Sequence, residues 1–354
     1  MATGKALNGK PYAGNPHVRF DEGEVASVAT PRRGSLLYKM TRQEFIGALG
    51  ASCGMFAFAP KTLCAALDPK RAVKPLGVNR VTVKVGASKP FKVMHVSDTH
   101  FTFCDARDDA RKQKLAVSRV KGMRRGEHYL DAAFRLAADE GAMLMHTGDL
   151  IDFTSKANYD AVVEHFAGRD TFVCAGNHEF LPYFWGTDRE DADYKAKSYA
   201  EVQANYPNDL TFVSRVVNGV NFVAIDDVFY YTTVQQAEQF EREVAKGLPI
   251  VLLCHVPPYS PKLFEAAFRY WRTAAYLFGV PDGMMGRYRK AQAQQQHTDA
   301  TSMDFYKRLH AEPLLKAVLC GHVHFTFADR FSTTAMSYVV GANYGGAAQM
   351  VSFE

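Results

Sequence analysis

Long apolar runs, thiols and charge of one sign are all scarce in this sequence, and each scarcity excludes something. No run of consecutive apolar residues reaches the roughly twenty needed to cross a bilayer as a helix. Only six of the 354 residues are cysteine. Cys174, Cys254 and Cys320 each end an apolar, strand-like run, where a thiol behaves as a small hydrophobe, so neither a disulfide framework nor thiolate ligands are expected. The formal net charge is +5, but residues 1–39 hold six Lys/Arg against three Asp/Glu, and residues 68–354 carry 34 against 33. A chain held on DNA by its phosphates would need a basic footprint that this near-neutral remainder lacks, so no stable nucleic-acid partner is expected. No internal repeat of fixed period is present, which excludes solenoids and propellers built from such units.

What remains is a globular composition, 47% hydrophobic and 22% charged, long enough for one large domain or two small ones. Residues 1–39 are polar, with scattered Gly, Pro and Arg, and read as a leader without structure of its own or as a start codon placed too early. Residues 40–67 differ. An uncharged run from Phe45 to Ala59 follows Met40-Thr41-Arg42, and small residues at Cys64, Ala65 and Ala66 follow it. That arrangement fits a secretory signal peptide, with Cys53 and Cys64 inside it, and implies an exported, periplasmic protein that meets a membrane only if the segment stays uncleaved. Gln43 stands where a twin-arginine signal has its second Arg. The alternative is a buried apolar helix and a cytoplasmic protein.

From residue 78 the pattern is α/β. Val81–Val85 and Phe91–Val96 read as strands. Leu130, Ala133, Phe134 and Ala137 lie at helical spacing before Gly141, and Ala142–His146 is a short buried strand. Tyr159, Val162, Val163 and Phe166 mark a helix and Thr171–Cys174 a strand. Val220–Ile225 precedes a helix opened by a Thr233/Gln236 capping box and closed by Gly247. Ile250–Cys254 and Ala317–Cys320 are strands, and short alternating strands follow Phe325 with no room for further helices. The domain is therefore expected to span 78–354 and to contain mixed sheets with helices outside. Residues 181–209 and 257–301 interrupt the rhythm and read as insertions beside the site.

Five short blocks share one setting, in which an apolar strand ends and ligand-type residues follow at once. They are Asp98-Thr99-His100, Gly148-Asp149, Gly176-Asn177-His178-Glu179, His255, and Gly321-His322-Val323-His324. In open α/β sheets ligands bind where strands open into loops at their carboxyl ends. Taken singly, most of these blocks describe an ordinary turn or a core histidine. Five in this order, at strand ends, describe a dense cluster of carboxylate, amide and imidazole groups.

On these blocks the chain resembles the calcineurin-like metallophosphoesterase superfamily over residues 90–330. The resemblance implies a four-layer α/β sandwich of two mixed β-sheets flanked by helices. It also implies two divalent or trivalent metal ions (Mn, Fe, Zn or Co). One would be held by Asp98, His100, Asp149 and His324, the other by Asp149, Asn177, His255 and His322, with the two oxygens of Asp149 bridging them. The donor set contains no thiolate, which suits an open catalytic site rather than structural zinc. A hydroxide between the ions would attack a phosphomonoester or phosphodiester. His178 would donate a proton to the leaving group, or else hydrogen-bond a ligand. Glu179 and Asp152 would support these groups from behind, Glu179 by orienting the His178 ring. Purple acid phosphatases carry a metal-binding tyrosine three residues after the bridging aspartate. Asp152 stands there, so this chain looks more like the broad bacterial phosphoesterases, including those similar to cyclic-nucleotide phosphodiesterases.

The expected substrate is a small phosphoester, with a nucleotide-like one among the candidates. Tyr183, Phe184, Trp185, Tyr259, Phe264, Phe268, Tyr270 and Trp271 could stack on a base or cover a lipid headgroup, or pack as a satellite core under the insertions. The stretch Arg111–Arg125 and the run Arg287–Lys290 could steer anions or form solvated faces. Two other readings stand beside hydrolysis, a metal-binding scaffold of the same fold that has lost turnover and a nuclease of the same superfamily.

Overall fold

In the computed structural model the described residues are 74–181 and 192–354. The leader, the segment 40–67 with its two cysteines, and Tyr183, Phe184 and Trp185 lie outside them. The strands are β1 (Gly77–Val83), β2 (Phe91–Val96), β3 (Met143–His146), β4 (Thr171–Val173), β5 (Phe212–Val217) and β6 (Val220–Ile225). They continue with β7 (Ile250–Leu253), β8 (Leu315–Cys320), β9 (Phe327–Arg330), β10 (Met336–Val339) and β11 (Ala347–Phe353). The helices are α1 (Ala110–Met123), α2 (Gly126–Asp139), α3 (Lys156–Phe166), α4 (Ala192–Gln203), α5 (Val234–Val244), α6 (Pro261–Trp271), α7 (Asp282–Met285), α8 (Lys290–Gln295) and α9 (Ala300–Ala311). No helix among the described residues is long and apolar enough to cross a membrane.

The strands form two mixed sheets, ordered β1-β11-β2-β3-β4 and β5-β6-β7-β8-β10-β9. In the first, β2, β3 and β4 run parallel while β11 is antiparallel to β2. In the second, β6, β7, β8 and β10 run parallel. Alternation along each strand decides what each face meets. Val93, Met145, Phe172 and Phe353 of the first sheet pack on Phe222, Val251, Leu253 and Leu319 of the second. Met94, Val96 and Leu144 turn outward onto Leu130 and Ala133 of α2 and Val162 and Phe166 of α3. Ile250, Leu252 and Val318 turn outward onto Phe240, Phe264 and Phe305 of α5, α6 and α9. Helix, sheet, sheet and helix are the four layers that the family resemblance implied.

Local signals act where expected. Thr233 and Gln236 form the reciprocal capping box of α5, and Gly141 and Gly247 take the left-handed conformation that ends their helices. Cys174 lies in the layer between the sheets, and Cys254 and Cys320 pack under the outer helices. All the described cysteines, Cys104 included, are buried and free. The aromatic residues after His255 divide. Phe264 is fully buried, Phe268 and Trp271 pack against the same core, and Tyr270 is 55% exposed. Arg287 lies over Phe268 and is paired with Glu265 while both charged groups stay exposed. The basic stretch 111–125 is mostly α1, whose N-cap is Asp109.

Phe353 shows what the middle layer contributes. Its ring stacks on Phe91 at 5.1 Å and meets Phe222 edge-on at 5.3 Å across the two sheets. Phe353→Ala is expected to destabilise the fold by about 3–5 kcal/mol through lost transfer energy and the cavity left behind, measured as a lower midpoint in urea unfolding. A change within experimental error would mean that the layer is not close-packed.

Candidate metal centre

Because β2, β3, β4, β7 and β8 all point their carboxyl ends to one edge of the two sheets, the five sequence blocks meet there. The first sheet supplies Asp98 and His100 after β2, Asp149 after β3, and Asn177 and His178 after β4. The second supplies His255 after β7 and His322 and His324 after β8. The backbone at these points is bent into a conformation side chains rarely adopt: Asp98, His100, Asp149, His322 and His324 have φ of 55°, 51°, 54°, 67° and 63°. Each such residue costs roughly 1–3 kcal/mol and persists only where its surroundings over-determine it. Close approach adds to this. A Cβ on Gly176 would collide with the Asp149 carboxylate, and one on Gly321 with Ser97 and Asp98.

Two groups of ligand atoms result. In one, Asp98, His100, Asp149 and His324 place one atom each within 4.8 Å of the others; in the second, Asp149, His255 and His322 do the same. His324 Nε2 is 3.1 Å and His100 Nε2 3.8 Å from Asp98 Oδ1. His255 Nε2 is 3.2 Å from Asn177 Oδ1, which adds the amide to the second group. Asp149 is common to both, but not with one oxygen for each. Oδ2 faces both His100, at 3.6 Å, and His255, at 3.2 Å, whereas Oδ1 accepts the backbone N–H of His178 at 2.9 Å. Oδ2 is the oxygen turned toward imidazoles of both groups.

Burial and charge act against each other here. Burial alone would push the Asp149 carboxyl up, and the His255 and His178 rings overcome it and hold it at about 2. Burial also opposes ionisation of Asp98, yet His324 and His100 keep its carboxyl well below the usual range. His255 would be neutral by burial but is raised to about 10 by Asp149 and Asp98, while burial and the neighbouring His255 charge press His322 down to about 3. Asp98 Oδ1 is buried without a hydrogen bond. Interior carboxylates this close together are costly unless paired or bound to cations. Oxygen and imidazole donors around an unbonded carboxylate oxygen fit metal ions, and these side chains are the ones that could hold them.

Supporting contacts fix which imidazole nitrogen faces the centre. His100 Nδ1 lies 3.0 Å from Asp152 Oδ1, and His255 Nδ1 lies 2.7 Å from the Thr147 carbonyl, leaving Nε2 of each ring turned inward. Asp152 also holds His178, whose Nδ1 is 2.9 Å from its carbonyl and 3.1 Å from its carboxylate. Glu179 does not orient the His178 ring as the sequence suggested. Its two oxygens accept the backbone N–H groups of Asp149, Leu150, Ile151 and Gly176 and the hydroxyl of Tyr206. It clamps the Asp149 loop instead.

Sequence reasoning passed over several neighbours. Arg119 of α1 binds Asp152 through Nε at 2.6 Å and a terminal nitrogen at 2.7 Å, a pairing between residues distant in sequence that leaves no local trace. Asp227 accepts the N–H groups of His255 and Val256, and burial raises its carboxyl to about 7. It lies two residues after the end of β6, as Asp98 does after β2, so the strand-end rule that found the five blocks could have found it. Tyr230 and Tyr344 lie behind His322 and His324 and belong to no motif.

The sequence profile described as calcineurin-like phosphoesterase matches residues 91–325. Among solved structures the chain is similar to a dimetal phosphatase from Danio rerio, at 12% identity and a TM-score of 0.45, covering 73% of this chain and 91% of that one. It is also similar to a phosphopantetheinyl hydrolase from Mycobacterium tuberculosis (12% identity, TM-score 0.34, 74% and 91% covered). A third is a 5′-nucleotidase from Candida albicans (12% identity, TM-score 0.35), of which this chain spans 47% while 77% of this chain is covered. No curated protein matches the chain. With its profile match spanning all five blocks from strand β2 to the last histidine pair, the chain belongs to the calcineurin-like phosphoesterase family.

Proposed function

We propose that this protein hydrolyses a phosphomonoester or phosphodiester with the help of two metal ions held at the edge where the two sheets meet. The observation that carries the reading is the convergence of Asp98, His100, Asp149 and His324 in one group and Asp149, His255 and His322 in the next, joined through Asp149 Oδ2. Two bound cations would supply Lewis acidity for the phosphoryl oxygens and lower the pKa of water held with them.

The chain's own residues do the rest. Asp149 sets the spacing of the two positions, and Asn177 and His255 close the second. His178 acts on the leaving group. Its Nδ1 meets the Asp152 carbonyl, which can only accept, so that nitrogen carries a hydrogen; in the imidazolium the second hydrogen sits on Nε2, the nitrogen 3.9 Å from Asp149 Oδ2. Proton donation from Nε2 to a departing alkoxide is therefore the role proposed for it. Arg119 keeps Asp152 ionised and in place while it holds the ring. The substrate proposed is small, and export rests on residues 40–67 alone.

The test is turnover of p-nitrophenyl phosphate and bis-p-nitrophenyl phosphate with added manganese; metal bound without turnover of either would favour a scaffold. Asp149→Asn is expected to remove most activity together with one or both metals, measured by elemental analysis beside the rates. His178→Ala should lower kcat by roughly 10²–10⁴-fold, the range for a general acid, with metal content unchanged. An emptied site in that variant would make His178 a ligand instead.

Metal uptake should also be linked to protons. Without metal, His255 is protonated at neutral pH because its pKa is raised to about 10; a cation at Nε2 has to displace that proton. Affinity is thus expected to climb as pH rises from 6 to 9. Titrating the stripped protein with zinc in weak buffer should release acid, read with an indicator dye, and no release would show that His255 was already neutral.

A further inference from the structure

Two loops that cross the site edge each bring a phenol behind one imidazole of the last motif. We propose that Tyr230 and Tyr344 are positioning residues, one for each metal position; this rests on the metal-binding reading above. His322 turns Nδ1 toward the second group, 3.1 Å from His255 Nε2, and its Nε2 lies 3.1 Å from the Tyr230 hydroxyl. His324 is turned the opposite way, with Nε2 3.1 Å from Asp98 Oδ1 and Nδ1 3.0 Å from the Tyr344 hydroxyl. An imidazole that gives the lone pair of one nitrogen to a cation carries its hydrogen on the other. In both rings the phenol meets that other nitrogen and can accept its hydrogen, so it holds the ring in the orientation that turns the first nitrogen to the cation. The two tyrosines do this for opposite nitrogens of two rings only two residues apart.

The backbone around each tyrosine points the same way. Phe229 and Tyr230 are consecutive non-glycine residues at φ of 68° and 63°, a strain that persists only where the surroundings impose it. Tyr230 is 1% exposed, and its ring meets His322 edge-on at 5.9 Å. Tyr344 sits in the single turn Asn343–Gly345 between β10 and β11, where the chain passes from the second sheet to the first. There the Asn343 N–H donates to the Ser97 carbonyl at 2.8 Å and the Tyr344 N–H to the Asp98 carbonyl at 3.1 Å. Tyr344 is thereby anchored to the backbone of Asp98 itself, with its ring 5.4 Å from those of both His100 and His324.

The supports then follow a pattern. Each metal position has one imidazole backed by an acceptor-only oxygen, Asp152 for His100 and the Thr147 carbonyl for His255, and one backed by a phenol. A phenol oxygen is a weaker acceptor than a carboxylate or a peptide carbonyl and raises the basicity of its ring less, so the two imidazoles of each position differ in basicity.

The experiment uses the metal-stripped full chain, titrated with cobalt(II) by calorimetry and by its visible spectrum. Tyr344→Phe is expected to weaken the ion that His324→Ala loses, and Tyr230→Phe the ion that His322→Ala loses. Each should weaken roughly 10–100-fold, with a shifted cobalt band for that ion and the other step as in the unmutated chain. Unchanged affinities and spectra in both Phe variants overturn the assignment, and so does weakening of the same ion by both. Should Tyr230→Phe fail to fold, the half-buried Tyr344 carries the test alone: unchanged affinity and spectrum in Tyr344→Phe, or weakening of the ion that His322→Ala loses, overturns the assignment. An unmutated chain that takes up no cobalt would instead overturn the metal reading, a result distinct from the failure of either tyrosine.

Discussion

One carboxylate oxygen organises this protein. Asp149 Oδ2 faces imidazoles from both sheets, while Oδ1 is tied to the backbone of the loop that carries Asn177 and His178. The atom can hold this position only because its loop is gripped from behind by Glu179, whose carboxylate takes several backbone N–H groups. A negative charge placed so deep, with Asp98 beside it, would be untenable without cationic or proton-donating neighbours. The four histidines and Arg119 behind Asp152 answer that single demand.

The fold follows from the same requirement. Parallel strands need long crossovers, and those crossovers become the helices that cover the outer faces. Their use lies in direction: strands that run the same way end on the same edge, and a residue placed just after such a strand is delivered there whatever its distance in sequence. Asp98 and His324 are brought together in this way. The left-handed backbone at five of the site residues is the local counterpart, turning each chain back across the edge as soon as its strand has ended.

This explains what could be read in the sequence and what could not. Asp98, Asp149, Asn177, His255 and His322 each follow an apolar run, so position relative to the pattern was enough. Mixed sheets with helices outside were legible from alternation, the four layers only through the family resemblance, and the capping box at Thr233 from its spacing. Strand β5 was not, because Ser214 and Arg215 interrupt its apolar residues on a partly exposed edge. Glu179 was given the wrong partner because it adjoins His178 in sequence. In the single 3-10 turn they share, consecutive side chains diverge, and Glu179 faces the loop after β3. Arg119, Tyr230 and Tyr344 act across folds of the chain that no local pattern records.

The division of the site between the sheets has a mechanical consequence. Oxygen and amide donors arrive almost entirely from the first sheet, and three of the four inward-facing histidines from the second. The separation of the two sets is then fixed by the thickness of the apolar layer holding Phe222, Phe353 and Leu319. Hydrocarbon packed to crystal-like density behaves as a stiff spacer. Side-chain volume far from any charged group thus sets how closely the donors of the two sheets approach one another.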